Sequence, residues 1–432
     1  MQSGNNHIAI FEHQCLRLND KYENVVFDHP KLLALQSFYG TAGVPYFSLI
    51  HNGVRFNEHV GVIQVGDLVI EILPKADRPT SGSSADAATW RTILIRMMLE
   101  VDAFNIHAPT TSTLSLKANS VLDLLFQLFV SEVEYLLHNG LVKKYRRKEG
   151  NVTALKGNLI FGKHIQRNLT HQERFYVGHT VYDPLHKLHA IIYKSIRLLK
   201  HINTSADLHS RIGNLLLSFP EMADIAISAT AFNTINYNRK TEPYRKCIEL
   251  ARLILLQYHP DVNKGPSHVL ALMFDMNLLW EKFVYKSLSR HKSPKTTIAA
   301  QSSKPFWKPE RGMSSRVRPD IVIDENTEEC IVIDTKWKNL NGSNPSPDDL
   351  RQMYVYHQYF RAKKVALIYP SKAPSKVAGV YLPIDKRERL ELECCMIGIC
   401  VDITIRSWQK AINDEVVRWS EESIVRQEPS TQ

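Results

Sequence analysis

Two short stretches of the 432-residue chain carry charged side chains at spacings that can do chemistry. Arg318-Pro319-Asp320-Ile321-Val322-Ile323 and Ile331-Val332-Ile333-Asp334-Thr335-Lys336-Trp337 each read as a β-branched strand. The polar residues between them read as a turn, which predicts an antiparallel hairpin. A hairpin centred near Thr327 sets Asp320 opposite Asp334. The two-residue repeat of a strand then points Asp334 and Lys336 to one face and Thr335 to the other. Two carboxylates held that close repel unless a cation lies between them, and hard oxygen ligands with open coordination positions suit Mg2+. Such an ion polarises a phosphoryl oxygen and lowers the pKa of a bound water, while Lys336 orients that water or neutralises charge on a phosphorane. The chemistry expected is phosphodiester hydrolysis. The alternative is a surface salt-bridge cluster, which contributes little stability.

The flanking elements must position these groups. Upstream, His268 to Leu288 has helical periodicity, with Phe274, Leu278, Tyr285 and Leu288 on one stripe and Glu281 inside it, where an acid needs a partner. Downstream, Ser346-Pro347-Asp348-Asp349 has the serine cap, first-position proline and acid of a helix start. Gln352 and Tyr356 then share one face of that helix, where an amide and a phenol can hold a DNA phosphate or buttress the metal ligands, while Met353, Tyr359 and Phe360 pack the core.

Charge points toward a polyanion. The chain has 54 Lys and Arg against 44 Asp and Glu, a net charge of +10, and an excess of this kind favours nucleic acid where it is clustered. Between Lys282 and Arg318 all but one of the charged residues are basic, the exception being Glu310. Lys304, Lys308, Arg311, Arg316 and Arg318 are therefore candidate DNA contacts. A second cluster, Lys143-Lys144-Tyr145-Arg146-Arg147-Lys148, sets a tyrosine among cations that can meet phosphates, with Lys143, Lys144, Arg146 and Arg147 as candidates. A solvated basic face is the plainer alternative for it.

Several other signals lead nowhere. The six cysteines form no CxxC pair and are expected to be reduced and mostly buried. Gly157 to His164 approximates a phosphate-binding loop, but His164 stands where Ser or Thr is required and Leu159-Ile160-Phe161 replace small residues. His186 and His189 find no third metal ligand in the sequence. The longest apolar run, Val269 to Phe274, is far too short to span a membrane, and the N-terminus lacks a signal-like pattern. A cytoplasmic protein is expected.

The organisation expected is α+β or α/β and multidomain. Residues 1–110 alternate short strands and turns, as in Gly61 to Pro74 with Gly66-Asp67 as a hairpin turn; Ala76 to Thr89 reads as a loop or hinge. Residues 111–265 read as helix-rich from a Ser120 cap onward, and residues 266–432 as an α/β unit around a small mixed sheet.

The order Glu281, Pro319-Asp320, Asp334-Thr335-Lys336, Gln352-x-x-x-Tyr356 resembles the PD-(D/E)xK nuclease superfamily, including the QxxxY element of its RecB-like branch. The resemblance implies a restriction-endonuclease-like C-terminal domain. In it Asp320, Asp334 and the Thr335 carbonyl hold the metal, Glu281 assists, and Lys336 is the catalytic lysine. Over most of its length the chain also resembles the McrC family, nuclease subunits of McrBC-type modification-dependent restriction systems. The residues that carry this are Val60 to Asp67 with Ile70 to Lys75, Leu155-Lys156-Gly157-Asn158-Leu159, Asn238-Arg239 with Pro243-Tyr244, and the two hairpin arms. This second resemblance implies an endonuclease acting on modified double-stranded DNA, with 5-methylcytosine as the family default. It also implies a partner, an McrB-like AAA+ GTPase hexamer that binds the GTP and whose pore receives the N-terminal part of the chain. Two further functions remain open at this level: a non-catalytic plug or GTPase activator for such a ring, and a stand-alone nuclease.

Overall fold

The computed structural model describes residues 7–22, 25–40, 43–65, 68–75, 84–101, 121–203, 205–256, 258–259, 269–338, 340, 344–382 and 392–422. The expected turn at Gly66-Asp67, the Ser120 cap and the boundary expected between residues 265 and 266 lie outside them. The chain divides into two compact units, one of residues 1–115 with 272–432 and the other of residues 116–271.

The first unit is mixed α/β. Near its start, β1 (His7–Phe11) runs parallel to β3 (Leu68–Leu73), which pairs antiparallel with β2 (His59–Val65). β3 is buried along its whole length, so its one acid, Glu71, needs partners and takes Arg91 Nε at 2.6 Å. Gly61 in β2 has a φ of 139°, and a Cβ there would lie 2.0 Å from the Leu272 carbonyl oxygen, which restricts the position to glycine. Helix α1 (Ser84–Glu100) begins inside the stretch read as a loop, so residues 84–89 are helical; Ala, Trp and Arg outweigh the Ser that suggested flexibility.

Helix α2 (Met276–His291) starts later than the periodicity suggests. Val269–Asp275 is a strand, as suits a continuous apolar run, and Asp275 caps the helix by accepting from the amides of Asn277 and Leu278. The buried face is consequently Met276, Leu279, Trp280, Phe283, Val284, Ser287 and Leu288. Leu278 is exposed, and Glu281 sits half-buried at the edge of that face, outside the stripe predicted for it.

Six strands follow in a mixed sheet among the described residues: β4 (Ile298–Ala300), β7 (Ile321–Ile323), β8 (Ile331–Thr335), β9 (Lys364–Ser371), β11 (Glu393–Cys400) and β10 (Ser375–Val380), in that spatial order. β5 (Lys304–Trp307) and β6 (Ser315–Val317) form a separate ribbon. The hairpin β7–β8 pairs Ile321 with Ile333 and Ile323 with Ile331, the predicted register, and β8 continues parallel to β9. Helix α3 (Pro347–Phe360) covers one face, packing Met353, Tyr356 and Phe360 on Val322, Val332, Val365 and Leu367. On α2, Trp280 and Phe283 stack against Trp408 of α4 (Ile405–Glu421).

The second unit is helical, with helices at Val121–His138, Lys187–Ile202, Ala206–Ser218 and Arg245–Leu256. It also holds an antiparallel ribbon of Lys144–Val152 with Phe175–Asp183, nine pairs long, which the helical reading of this region missed. His186 and His189 are structural. His186 caps the helix that follows, and His189 shares hydrogen bonds with the Pro184 carbonyl and the Tyr244 hydroxyl. The cysteines among the described residues are free, four of them buried.

Candidate nuclease site

The hairpin register brings Asp334 and Lys336 to the side of the sheet that α3 covers. β8 alternates, so Val332 and Asp334 face the helix, and Val332 packs in its core. Asp334 is 2% exposed. Its Oδ2 lies 2.8 Å from the Lys336 ammonium, yet no well-angled hydrogen bond reaches this buried oxygen. Burial, and then the neighbouring Asp320, push its pKa up to about 7, while Lys336 opposes the shift. For Lys336, burial works against the charge, but Asp334 and Asp349 outweigh it and raise its pKa. Lys336 is therefore a cation suited to stabilising negative charge rather than a base.

Asp320 precedes the first ladder pair, so the pleat does not dictate its direction. Its Oδ2 accepts from the Thr335 amide at 2.6 Å and from the Thr335 hydroxyl at 2.8 Å. The Thr335 side chain thus reaches Asp320 instead of pointing away as strand alternation predicts. Glu281 approaches from α2. Burial and then Asp320 raise its pKa, and its Oε1 accepts from Gln301 Nε2 at 2.8 Å.

Helix α3 closes the arrangement. Ser346 Oγ accepts from the Asp349 amide at 3.1 Å, as the cap predicts. Gln352 Oε1 accepts from Lys336 Nζ at 3.3 Å, Gln352 Nε2 donates to the Tyr356 hydroxyl at 2.7 Å, and that hydroxyl donates to the Arg318 carbonyl at 3.2 Å. Gln352 and Tyr356 therefore join the lysine of one hairpin arm to the backbone that leads into the other. Burial, then the charge of Asp334, raises the Tyr356 pKa, so the phenol stays protonated and able to donate.

Sequence reasoning missed two residues. Asp349 was read as a helix-start acid, but its Oδ2 receives Lys338 Nζ at 2.5 Å and its Oδ1 lies 3.9 Å from Lys336 Nζ. The cap position signalled the residue but not its second role. Gln301, at a left-handed φ of 52°, donates its amide to the Asp320 carbonyl at 2.8 Å while its side chain holds Glu281. No spacing rule pointed to it.

The basic segment does not act as one face. Lys286 donates to the Glu100 carbonyl, and Arg290 contacts Glu100 and Gln409, so both serve packing. Lys304 lies over the Phe360 ring and donates to the Tyr359 carbonyl, and Arg316 is tied to Ser303. Lys308, Arg311 and Arg318 are exposed. A cleft of about 580 Å3 is lined by Arg316, Arg318, Gln352 and Tyr356. A larger cavity, about 970 Å3, opens beside Asp324 and Lys364 and contains none of the predicted residues. Lys143, Lys144, Arg146 and Arg147 are exposed in the other unit.

Among the described residues no three His, Cys, Asp or Glu side chains gather as a ready metal cage. The chemistry of the donor set nevertheless fits a hard divalent ion that takes much of its shell from water and phosphate. Asp320 and Asp334 repel each other, and the single ammonium of Lys336, 2.8 Å from Asp334 Oδ2, leaves the pair one positive charge short of a divalent ion's two. No helix of the described residues is long and apolar enough to cross a membrane.

Comparison with known proteins follows the same direction. A family model described as McrBC 5-methylcytosine restriction system component matches residues 54–370, which include every residue of the site. The chain is 23% identical over 238 residues to the type IV methyl-directed restriction enzyme EcoKMcrBC of Escherichia coli (strain K12), a match covering 52% of this chain and 66% of that protein, just under two thirds of its length. Its fold is similar to a chain of the half-complex of Thermococcus gammatolerans McrB AAA+ hexamers with bound McrC, with a TM-score of 0.72 and 20% identity over 96% of this chain and all of that one. A chain of the Thermococcus gammatolerans McrBC complex matches with a TM-score of 0.50 and 19% identity, over 66% of this chain and 87% of that one.

Proposed function

The chain belongs to the family of McrBC 5-methylcytosine restriction system components, and from that premise we propose that it is the DNA-cleaving subunit of such a system. In this reading residues 266–432 form a PD-(D/E)xK-type nuclease domain. Asp320, Asp334 and the Thr335 carbonyl hold Mg2+, and an AAA+ GTPase hexamer delivers double-stranded modified DNA. The observation that carries the reading is the buried Asp334 carboxylate, set beside a second acid and paired through Oδ2 with the Lys336 ammonium at 2.8 Å.

A divalent ion at this position supplies Lewis acidity toward a phosphoryl oxygen and a water of lowered pKa. The chain's own groups do the rest. Lys336, held by Gln352, faces the charge that builds on the phosphorus oxygens. Tyr356 fixes α3 to the Arg318 carbonyl and so keeps the walls of the cleft at constant spacing. Arg316 and Arg318 line the cleft, where they attract the phosphate backbone. Glu281, held by Gln301 and within reach of the Asp320 charge, would assist the acids that hold the metal.

The test is cleavage of methylated duplex DNA by the full chain with its GTPase partner, GTP and Mg2+. Asp334→Asn and Lys336→Ala should each lower the rate by about 10³-fold or more while association with the partner, read on a native gel, persists. Undiminished cutting by both variants would overturn the assignment.

A further inference from the structure

One end of the nine-pair ribbon of the second unit stands open to solvent. From residue 143 to residue 149 every side chain of its first strand is exposed, on both faces. The second strand is buried at Tyr176, Val177 and Gly178, where the short strand Asn158–Leu159 pairs on, so it is the opposite end, residues 144–148 with 179–183, that carries large exposed rings. Strand alternation sorts its side chains. Lys144, Arg146 and Lys148 share one face, and Arg146 is neutralised there by Asp183 at 2.9 Å. The other face carries Tyr145, Arg147 and, from the paired strand, Thr180 and Tyr182. Tyr145 and Tyr182 are direct register partners. Their ring centroids are 4.5 Å apart, with 31° between the planes, and they are 70% and 52% exposed. Two large aromatic rings held together in water, with an exposed guanidinium on the same face and lysines behind, form a stacking platform inside a positive field.

We infer that this ribbon binds single-stranded nucleic acid, with an unpaired base stacked on the Tyr145–Tyr182 pair and the adjoining phosphate on Arg147, while the lysines of the opposite face add to the positive field. A duplex hides its base faces, so it would use the cations and not the rings, and the aromatic pair is what favours an unpaired strand. The inference deepens the reading of the chain as a DNA-acting protein by giving the second unit its own contact, one that distinguishes strand state.

The experiment is fluorescence anisotropy of the purified full chain with a labelled 20-nucleotide oligothymidylate and with a labelled duplex of the same length. EDTA is present, so binding is read without cleavage and independently of the nuclease assignment. Tyr145→Ala/Tyr182→Ala should weaken single-strand binding about tenfold and leave duplex binding within about twofold, whereas Tyr145→Phe/Tyr182→Phe, which keeps the rings, should bind as the native chain does. Arg147→Ala should weaken both ligands and lower the salt dependence of each. Unchanged single-strand affinity in the double-alanine variant would overturn the inference. So would oligonucleotide affinity that is unaffected while the variant loses its association with the GTPase ring, because the platform would then be a protein contact.

Discussion

The indole Nε1 of Trp337 donates a 2.8 Å hydrogen bond to Oε1 of Glu12, joining the residue after Lys336 to the end of β1. The same oxygen accepts from the Lys75 amide at 2.8 Å, while Glu12 Oε2 is buried without a hydrogen bond. Burial pushes the Glu12 pKa from 4.5 up to about 7. A carboxylic acid whose pKa is raised on folding binds more protons in the native state, so between pH 4.5 and about 7 stability falls as pH rises. Glu12→Gln removes this titration and should flatten the urea-unfolding profile between pH 5 and pH 7.5 by about 3 kcal/mol. Equal slopes in variant and native chain would show that Glu12 is ionised throughout.

Asp334 titrates in the same range for a related reason, and here the proton competes with the metal. Because its pKa is raised to about 7, the Mg2+ of the proposed site would have to displace a proton below that pH. Mg2+ affinity measured by calorimetry is expected to fall about tenfold per pH unit on acidification below pH 7. Asp334→Asn should abolish that dependence together with most of the affinity.

Gly61 offers a test of the fold alone. Gly61→Ala would set a methyl 2.0 Å from the Leu272 carbonyl oxygen at a φ of 139°. The expected cost is about 3 kcal/mol or more, read as a lower urea midpoint with unchanged slope. A midpoint within error of the native chain would mean that β2 can move away from Leu272.

Duplex binding should weaken steeply with ionic strength. Lys308, Arg311 and Arg318 are exposed, and each replaced by alanine should reduce the log–log salt slope by about 0.9. Lys286→Ala and Arg290→Ala, which serve contacts with Glu100 and Gln409, should leave the slope unchanged.

The hairpin was legible because alternation, β-branching and a polar turn all specify the same register, and Ile321 pairs with Ile333 as the spacing required. The cap at Ser346 was legible for a similar reason, since a short-range hydrogen bond fixes it. The start of α2 was not. An apolar run such as Val269 to Phe274 satisfies strand and helix equally, and the Asp275 cap decides between them. Thr335 was misdirected because Asp320 lies beyond the paired residues, where the pleat no longer governs. Gln301 was invisible because its position comes from a left-handed backbone turn and a contact made across 20 residues. Net charge, likewise, says nothing of which cations are consumed by packing, as Lys286, Arg290 and Lys304 are.

The link from Lys336 through Gln352 and Tyr356 to the Arg318 carbonyl has a bearing on engineering. A graft of the hairpin alone would transplant all three charges and none of the scaffolding that sets their separation. The smallest transferable cassette runs from the Asp275 cap through α4, because the lysine's orientation is inherited from a helix that begins only after the hairpin has ended, and Trp280 of α2 packs on Trp408 of α4.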